Sequence, residues 1–368
     1  MSRAAEVIIH LAAIKQNLNV AKLAAPNTTV FAIIKADGYG HGILSTAYAL
    51  RDTDGFGVAS IDEAIEIRTA NIQKPILLLE GIFDKSELDE VQQYNLEIVM
   101  HHKWQIDTLL ELAANQSNHG SNSKPKKIDI WLKLDTGMNR LGFAPKDIYS
   151  IWNTVKNSPV VQSIKLMTHL ANADNTADNC TEDQLIRFDS ATQNINTLKS
   201  IANSAGILAW PQTHANIIRP GIMLYGASPI LKTSASDYKL TPAMTLRTKL
   251  ISIKELKKGS PVGYGGDWIA PNDTKLGVAA IGYGDGYPRH APSGTPVLVG
   301  GRRTKIVGRV SMDMVCVDLG NLPNAKIGDD VVLWGEGLPV EEVAQHAGTI
   351  PYELFCGITK RVRRIEQQ

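Results

Sequence analysis

The sequence has 368 residues, 43% of them hydrophobic and 20% charged, with a formal net charge of +1. That length exceeds one ordinary domain, since a β/α barrel alone takes about 250 residues, and the apolar fraction suffices for a large core. The near-neutral balance offers no field for nucleic acid or an anionic membrane, so small neutral or zwitterionic ligands are the expected partners. Cys180, Cys316 and Cys356 are odd in number, far apart and in no CxxC arrangement. This argues against a disulfide framework or zinc site and fits a reducing cytoplasm. The amino-terminal stretch has a short apolar run broken by His10, with no long apolar core or cleavage signal, and no run is long enough to span a bilayer.

Leu11, Ile14, Leu18 and Val20 have helical spacing. Short apolar runs then predict strands over 30–36, 55–60, 75–80, 96–100, 128–135, 164–170, 200–204 and 219–226, with amphipathic stretches such as 61–70 and 183–200 between them. Eight strand-helix units read as an α/β fold of the (β/α)8 barrel type. The polar segment 116–127 is expected as an exposed loop before the fifth strand. A second polar segment, 172–183, follows the sixth strand on the face where barrels keep their chemistry. Near Ser234 the pattern changes to strand-like runs separated by Gly, Pro, Asn and Asp, with one short helix around 340–348. The expected division is therefore a barrel over 1–234 and a mostly β domain over 235–368.

The stretch AIIKADGYGHG, residues 32–42, ends a buried strand on Lys35 and breaks into a glycine-rich turn with Tyr39 and His41. An ammonium at a buried strand end is costly, and desolvation favours the neutral amine that serves as nucleophile or base. A lysine reaching solvent beside an ordinary turn is the plain alternative. In IDIWLKLDTGMNRLG, residues 128–142, alternation puts Ile130, Leu132 and Leu134 on one face and Asp129, Trp131, Lys133 and Asp135 on the other. Lys133 then points into the barrel, where it requires a partner such as Asp129 or Asp135, or a neutral form. His169 ends the sixth strand; Asn203 and Ser204 follow the seventh, where barrels commonly bind phosphate; and Arg219 begins the eighth. Each of these alone is also compatible with a purely structural role, as is Tyr264 in a turn between glycines.

Taken together, these stretches closely resemble the alanine racemases, pyridoxal-phosphate (PLP) enzymes that join a barrel to a β domain. The matches run from Lys35 to Tyr352 and so span both expected domains. The resemblance implies that Lys35 carries PLP as a Schiff base. Tyr39, Asn203, Ser204, Gly221, Ile222 and Tyr352 would contact the phosphate, and His169 would line the ring. Arg219 would face the ring nitrogen, disfavouring its protonation and so suppressing transamination. The lysine matching Lys133 is often carbamylated in the family, and the resulting anion would hold Arg140, which contacts PLP and the substrate carboxylate. Tyr264 would be the second base beside Lys35. Met312 would offer its N–H to the substrate carboxylate, with Tyr283 and Asp313 at the substrate entrance. The implied activity is interconversion of L- and D-alanine by a homodimer with shared sites, supplying D-alanine for peptidoglycan or serving alanine catabolism. Asp37, Gly38, Asn139 and Ser200 depart from commoner family residues. A barrel-type PLP decarboxylase is disfavoured by Arg219, and a non-catalytic PLP-binding protein by the last third of the chain.

Overall fold

The first strand of the chain does not belong to the barrel that follows it. A computed structural model describes residues 4–118 and 126–368. In it β1 (Glu6–His10) lies between two strands of the carboxyl-terminal sheet, with Val7 and Ile9 fully buried. The chain then enters a helix, Leu11–Ala24, whose Ile14 and Leu18 are buried and whose Leu11 and Val20 are partly buried against the core, as their spacing predicts.

Eight parallel strands close the barrel: β2 (Thr29–Ile33), β3 (Gly55–Val58), β4 (Ile76–Leu78), β5 (Glu97–Met100), β6 (Ile128–Lys133), β7 (Val161–Met167), β8 (Lys199–Ser200) and β9 (Ile217–Ile218). Closure comes from Thr29 and Val30 pairing with Ile217 and Ile218. Phe31, Leu77, Val99, Trp131, Met167 and Ile217 form a separate apolar plug, while Ile130, Leu132 and Leu134 belong to the larger core. The alternation predicted for 128–135 is thus observed. Phe31 and Trp131 meet edge to face, with centroids 5.2 Å apart at 70°. Trp131 Nε1 donates to Glu97 (2.5 Å), which also accepts from Lys165 (2.9 Å). The indole therefore satisfies its donor inside the barrel.

All eight expected strands are present, but several boundaries move. The strand expected over 219–226 is only Ile217–Ile218, because Pro220 has no N–H to continue the ladder; Arg219 follows the strand rather than beginning it, and Ile222–Tyr225 is a 3-10 turn. The run 200–204 gives up its end to a helix, Ser204–Ala209, capped by Asn203 through a 2.9 Å bond from Gly206 N–H. The strand expected over 30–36 stops at Ile33. The loop expected over 116–127 is helical to residue 118 at its start, in Lys103–Asn118, and residues 119–125 lie outside the described residues.

Beyond the barrel runs β10 (Met244–Leu256), followed by the short pair β11 (Pro261–Val262) and β12 (Trp268–Ile269), then β13 (Thr274–Ala279), β14 (Pro296–Val299), β15 (Arg302–Lys305), β16 (Val315–Asp318), β17 (Asp330–Trp334) and β18 (Arg363–Gln367). The sheet order is β15-β14-β17-β10-β1-β18, with β13 on β10 and β16 on β13. The expected helix is Val340–Ala347; a second, Pro351–Cys356, was not predicted and carries Tyr352.

Candidate active site

After β2 the backbone makes one turn of left-handed helix. Ala36, Asp37, Gly38, Tyr39 and Gly40 all have φ between +52° and +77°. Ala36, Asp37 and Tyr39 bear a Cβ, and each costs roughly 1–2 kcal/mol there. Specific contacts offset that strain. Glu63 accepts from the Ala36 N–H (2.6 Å), and Asp37 Oδ1 from the Ile43 N–H (2.8 Å). Arg364 of β18 donates to Asp37 Oδ2 (3.0 Å) and to the Gly40 carbonyl (2.8 Å). Asp37, a departure at the sequence level, thus has a partner in Arg364. A Cβ on Gly40 would lie 2.2 Å from the carbonyl oxygen of Phe355, so the turn and the helix Pro351–Cys356 touch through backbone.

The turn sets Lys35 at one end and Tyr39 at the other. Tyr39 is buried, stacks on Tyr225 (4.7 Å, 24°) and lies 5.9 Å from the Tyr352 ring. Burial pushes both the Tyr39 and Tyr352 phenols above their ordinary range, so each stays a protonated donor near neutral pH. A Cβ on Gly221 would lie 2.7 Å from Tyr39 Oη, and the Gly221 N–H donates to Ser204 Oγ (2.8 Å). Tyr39, Ser204, Gly221 and its neighbour Ile222 therefore share one corner, beside the Asn203 cap.

Across the mouth, Arg219 is buried and donates to the carbonyls of Thr168 (2.7 Å) and Ile201 (3.4 Å) and to Ser200 Oγ. Ser200 passes its own proton to the Ile217 carbonyl (2.8 Å), so its departure from the commoner residue is accommodated. Burial pulls the Arg219 guanidinium down to about 10. Lys133 is also buried and is pulled down to about 8, by desolvation first and then by Arg219, Arg140 and Lys35. Neither expected ion pair forms. Asp129 faces Lys165 (3.7 Å), and Asp135 accepts from the N–H groups of Gly137 and Asn139 (3.0 Å each). His169 is held well below its ordinary value by burial and then by Arg219, Lys133, Arg140 and Lys35. Among the described residues no ion pair joins Lys35, Lys133, Arg140 or Arg219 to a carboxylate, and Glu80 only partly opposes the lowering of Lys133.

The second-domain residues form a group of their own. Tyr264 is 69% exposed, on a turn at the tip of the β11–β12 hairpin and beside an ion pair between Arg309 and Asp267. Tyr283 N–H donates to the Ser311 carbonyl (3.0 Å) and Gly284 N–H to that of Met312 (2.9 Å), while Arg361 pairs with Asp313. No hydrogen bond, ion pair or ring contact joins Tyr264, Tyr283 or Met312 to the barrel mouth among the described residues. Of the predicted second-domain site residues, Tyr352 reaches Tyr39, with ring centroids 5.9 Å apart. Sequence reasoning missed Glu63 and Arg364. The Ser60–Glu63 capping box was visible as S-x-x-E, whereas nothing local marks Arg364.

Residues 9–229 match the alanine racemase N-terminal domain, and residues 243–366 the alanine racemase C-terminal domain. The chain belongs to the alanine racemase family. An alanine racemase from Shewanella woodyi is 48% identical over 351 residues, 95% of each chain. One from Coxiella burnetii is 46% identical over 368 residues, 98% of each. The crystal structure of the biosynthetic alanine racemase from Pseudomonas aeruginosa is 43% identical and superposes with a TM-score of 0.94 over the whole of both chains. The alanine racemase from Bartonella henselae, solved with covalently bound pyridoxal phosphate, is 28% identical with a TM-score of 0.88 over 99% of each chain.

Proposed function

We propose that this family member racemises alanine with PLP, and that the barrel mouth described above is where it does so. The observation that carries this reading is the donor set. A primary amine suits an aldehyde, phenols, a hydroxyl and backbone amides suit a phosphate, and cations ion-paired to no carboxylate suit a poly-anion. On this reading Lys35 holds PLP, Tyr39, Asn203, Ser204, Gly221, Ile222 and Tyr352 hold its phosphate, His169 lines the ring and Arg219 faces the ring nitrogen. When bound, PLP supplies the electron sink that makes the alanine Cα–H acidic.

The chain's residues then manage the proton. Racemisation requires a proton to leave one face of Cα and arrive on the other. Lys35 Nζ serves the D face and Tyr264 Oη the L face. Because no hydrogen bond, ion pair or ring contact joins Tyr264 to its own barrel mouth among the described residues, the second base comes from the partner in a homodimer. Arg140 and the Met312 N–H hold the substrate carboxylate, with Tyr283 and Asp313 at the entrance. Lys133, held down to about 8 amid cations, offers enough neutral amine for Nζ to add to carbon dioxide and release a proton. The carbamate so formed replaces a buried cation by an anion that holds Arg140. Three free thiols and no described helix long and apolar enough to cross a membrane fit a cytoplasmic enzyme. Both D-alanine supply for peptidoglycan and alanine catabolism are open to such an activity.

The test is D-alanine formation from L-alanine with and without added PLP. Activity and visible absorbance should disappear together in Lys35→Ala. A borohydride-fixed pyridoxyl group on a different lysine would overturn the assignment.

A further inference from the structure

His41 is fully buried, two residues beyond Tyr39, with its ring 4.6 Å from that of Tyr225 and 5.1 Å from that of Phe355. Its Nδ1 lies 3.1 Å from the Gly38 carbonyl oxygen and 2.9 Å from that of Tyr39. Carbonyl oxygens only accept, so Nδ1 must carry the proton. Nε2 is then a bare acceptor, and it has no partner among the described residues. Burial pulls the imidazole down to about 3, which keeps the ring neutral at any working pH and leaves it no acid or base role. What remains is orientation. The left-handed turn supplies its own bonds from Gly40 N–H to the Ala36 carbonyl (2.9 Å), from His41 N–H to the Gly38 carbonyl (3.0 Å) and from Gly42 N–H to the Asp37 carbonyl (2.8 Å). Among the described residues the Tyr39 carbonyl is served by His41 alone.

We propose that His41 is a positioning residue whose Nδ1–H staples the carbonyls of Gly38 and Tyr39, holding the left-handed turn in the shape that aims Lys35 and Tyr39 at one barrel mouth. The consequence for the cofactor rests on the function proposed above, because a loosened turn should hold PLP less well.

Three substitutions separate the donor from the packing. His41→Asn keeps an N–H two bonds from Cβ, at the δ position where Nδ1 sits, but loses ring contact. His41→Phe keeps a ring between Tyr225 and Phe355 but has no donor. His41→Gln carries its amide one atom too far. Dissociation of PLP from the full-length holo-protein after dilution, followed by visible absorbance, should be about tenfold faster in the Phe and Gln variants, the loss of one buried hydrogen bond, and within about threefold of wild type in the Asn variant. Thermal stability should rank the other way, Phe above Asn. Slow PLP loss in Phe with fast loss in Asn would mean that His41 only packs, and equal loss in all three would equally overturn the staple. Selective nitrogen-15 labelling of the histidines reports the tautomer directly, with the His41 signal identified in the wild-type protein by its through-space contacts to the Tyr225 and Phe355 rings. A proton on Nε2 would refute the proposal even if no variant folded. Wild-type protein that binds no PLP would instead remove the proposed function, leaving the tautomer to decide the staple.

Discussion

Replacing Gly40 by alanine tests whether the left-handed turn after Lys35 and the helix Pro351–Cys356 are one rigid unit. Gly40 has φ +77°, and its added methyl would sit 2.2 Å from the Phe355 carbonyl oxygen and 3.0 Å from its carbon. Backbone cannot swing aside as a side chain does. The left-handed conformation costs an alanine about 1–2 kcal/mol, and forcing apart well-packed backbone about 1–3 kcal/mol more, so Gly40→Ala should lose about 2–5 kcal/mol. Gly301 is the internal control, with φ +73° in the β14–β15 turn and nothing within 4 Å of the point where its methyl would sit. Gly301→Ala should lose only the first contribution, about 1–2 kcal/mol. Chemical denaturation of both variants gives the two differences, and visible absorbance at limiting PLP shows whether Gly40→Ala also releases cofactor, since its clash pushes Tyr352 away from Tyr39. If Gly40→Ala were no less stable than Gly301→Ala, the backbone contact would not exist in solution and the argument for a rigid unit would fail.

Mixing Lys35→Ala with Tyr264→Phe after dissociation should restore activity through one hybrid site holding both intact bases. Confirmed heterodimers without recovery would place both bases on one chain. Bicarbonate labelled with carbon-13 should give a carbamate NMR signal that disappears in Lys133→Ala; full activity with an unmodified ammonium would remove the carbamate. In carbon-dioxide-free buffer Lys133 should make stability depend on pH. Its folded pKa of about 8 lies below the ordinary 10.5, so the unfolded chain binds the proton more tightly between those values and stability rises with pH across that window. The gain is roughly 3 kcal/mol. Lys133→Met should thus be more stable than wild type at pH 7, with the gap closing by pH 10.5, and a gap that ignores pH in denaturation experiments would contradict the burial argument.

The barrel was legible because each apolar run is short and bounded, and because the alternation at Trp131 and Lys133 follows directly from the pleat. The candidate site residues were singled out by resemblance more than by spacing. The turn at 36–40 shows the limit. Its glycines announce a reversal of direction, but nothing local says that Ala36, Asp37 and Tyr39 also adopt positive φ. Glu63, Arg364 and the Phe355 backbone impose that conformation from elsewhere in the chain. The Lys133 ion pairs failed for a similar reason. Alternation fixes a face but not a neighbour, and Lys165 of the adjacent strand takes Asp129. Arg219 was misplaced by an apolar run that looks like strand until Pro220 interrupts its hydrogen bonding.

The seating of β1 bears on how this chain can be made and cut. Its Val7 and Ile9 are covered by a sheet whose neighbours on either side are residues 244–247 and 363–367. During synthesis the segment emerges before either neighbour and must wait, apolar and unpaired, while the barrel strands between them are made and can close. A barrel excised at residue 234 would carry this orphaned strand as an adhesive edge. Removing residues 4–10 from such a fragment should reduce its tendency to aggregate, and the same deletion in the full-length chain should leave a gap between β10 and β18.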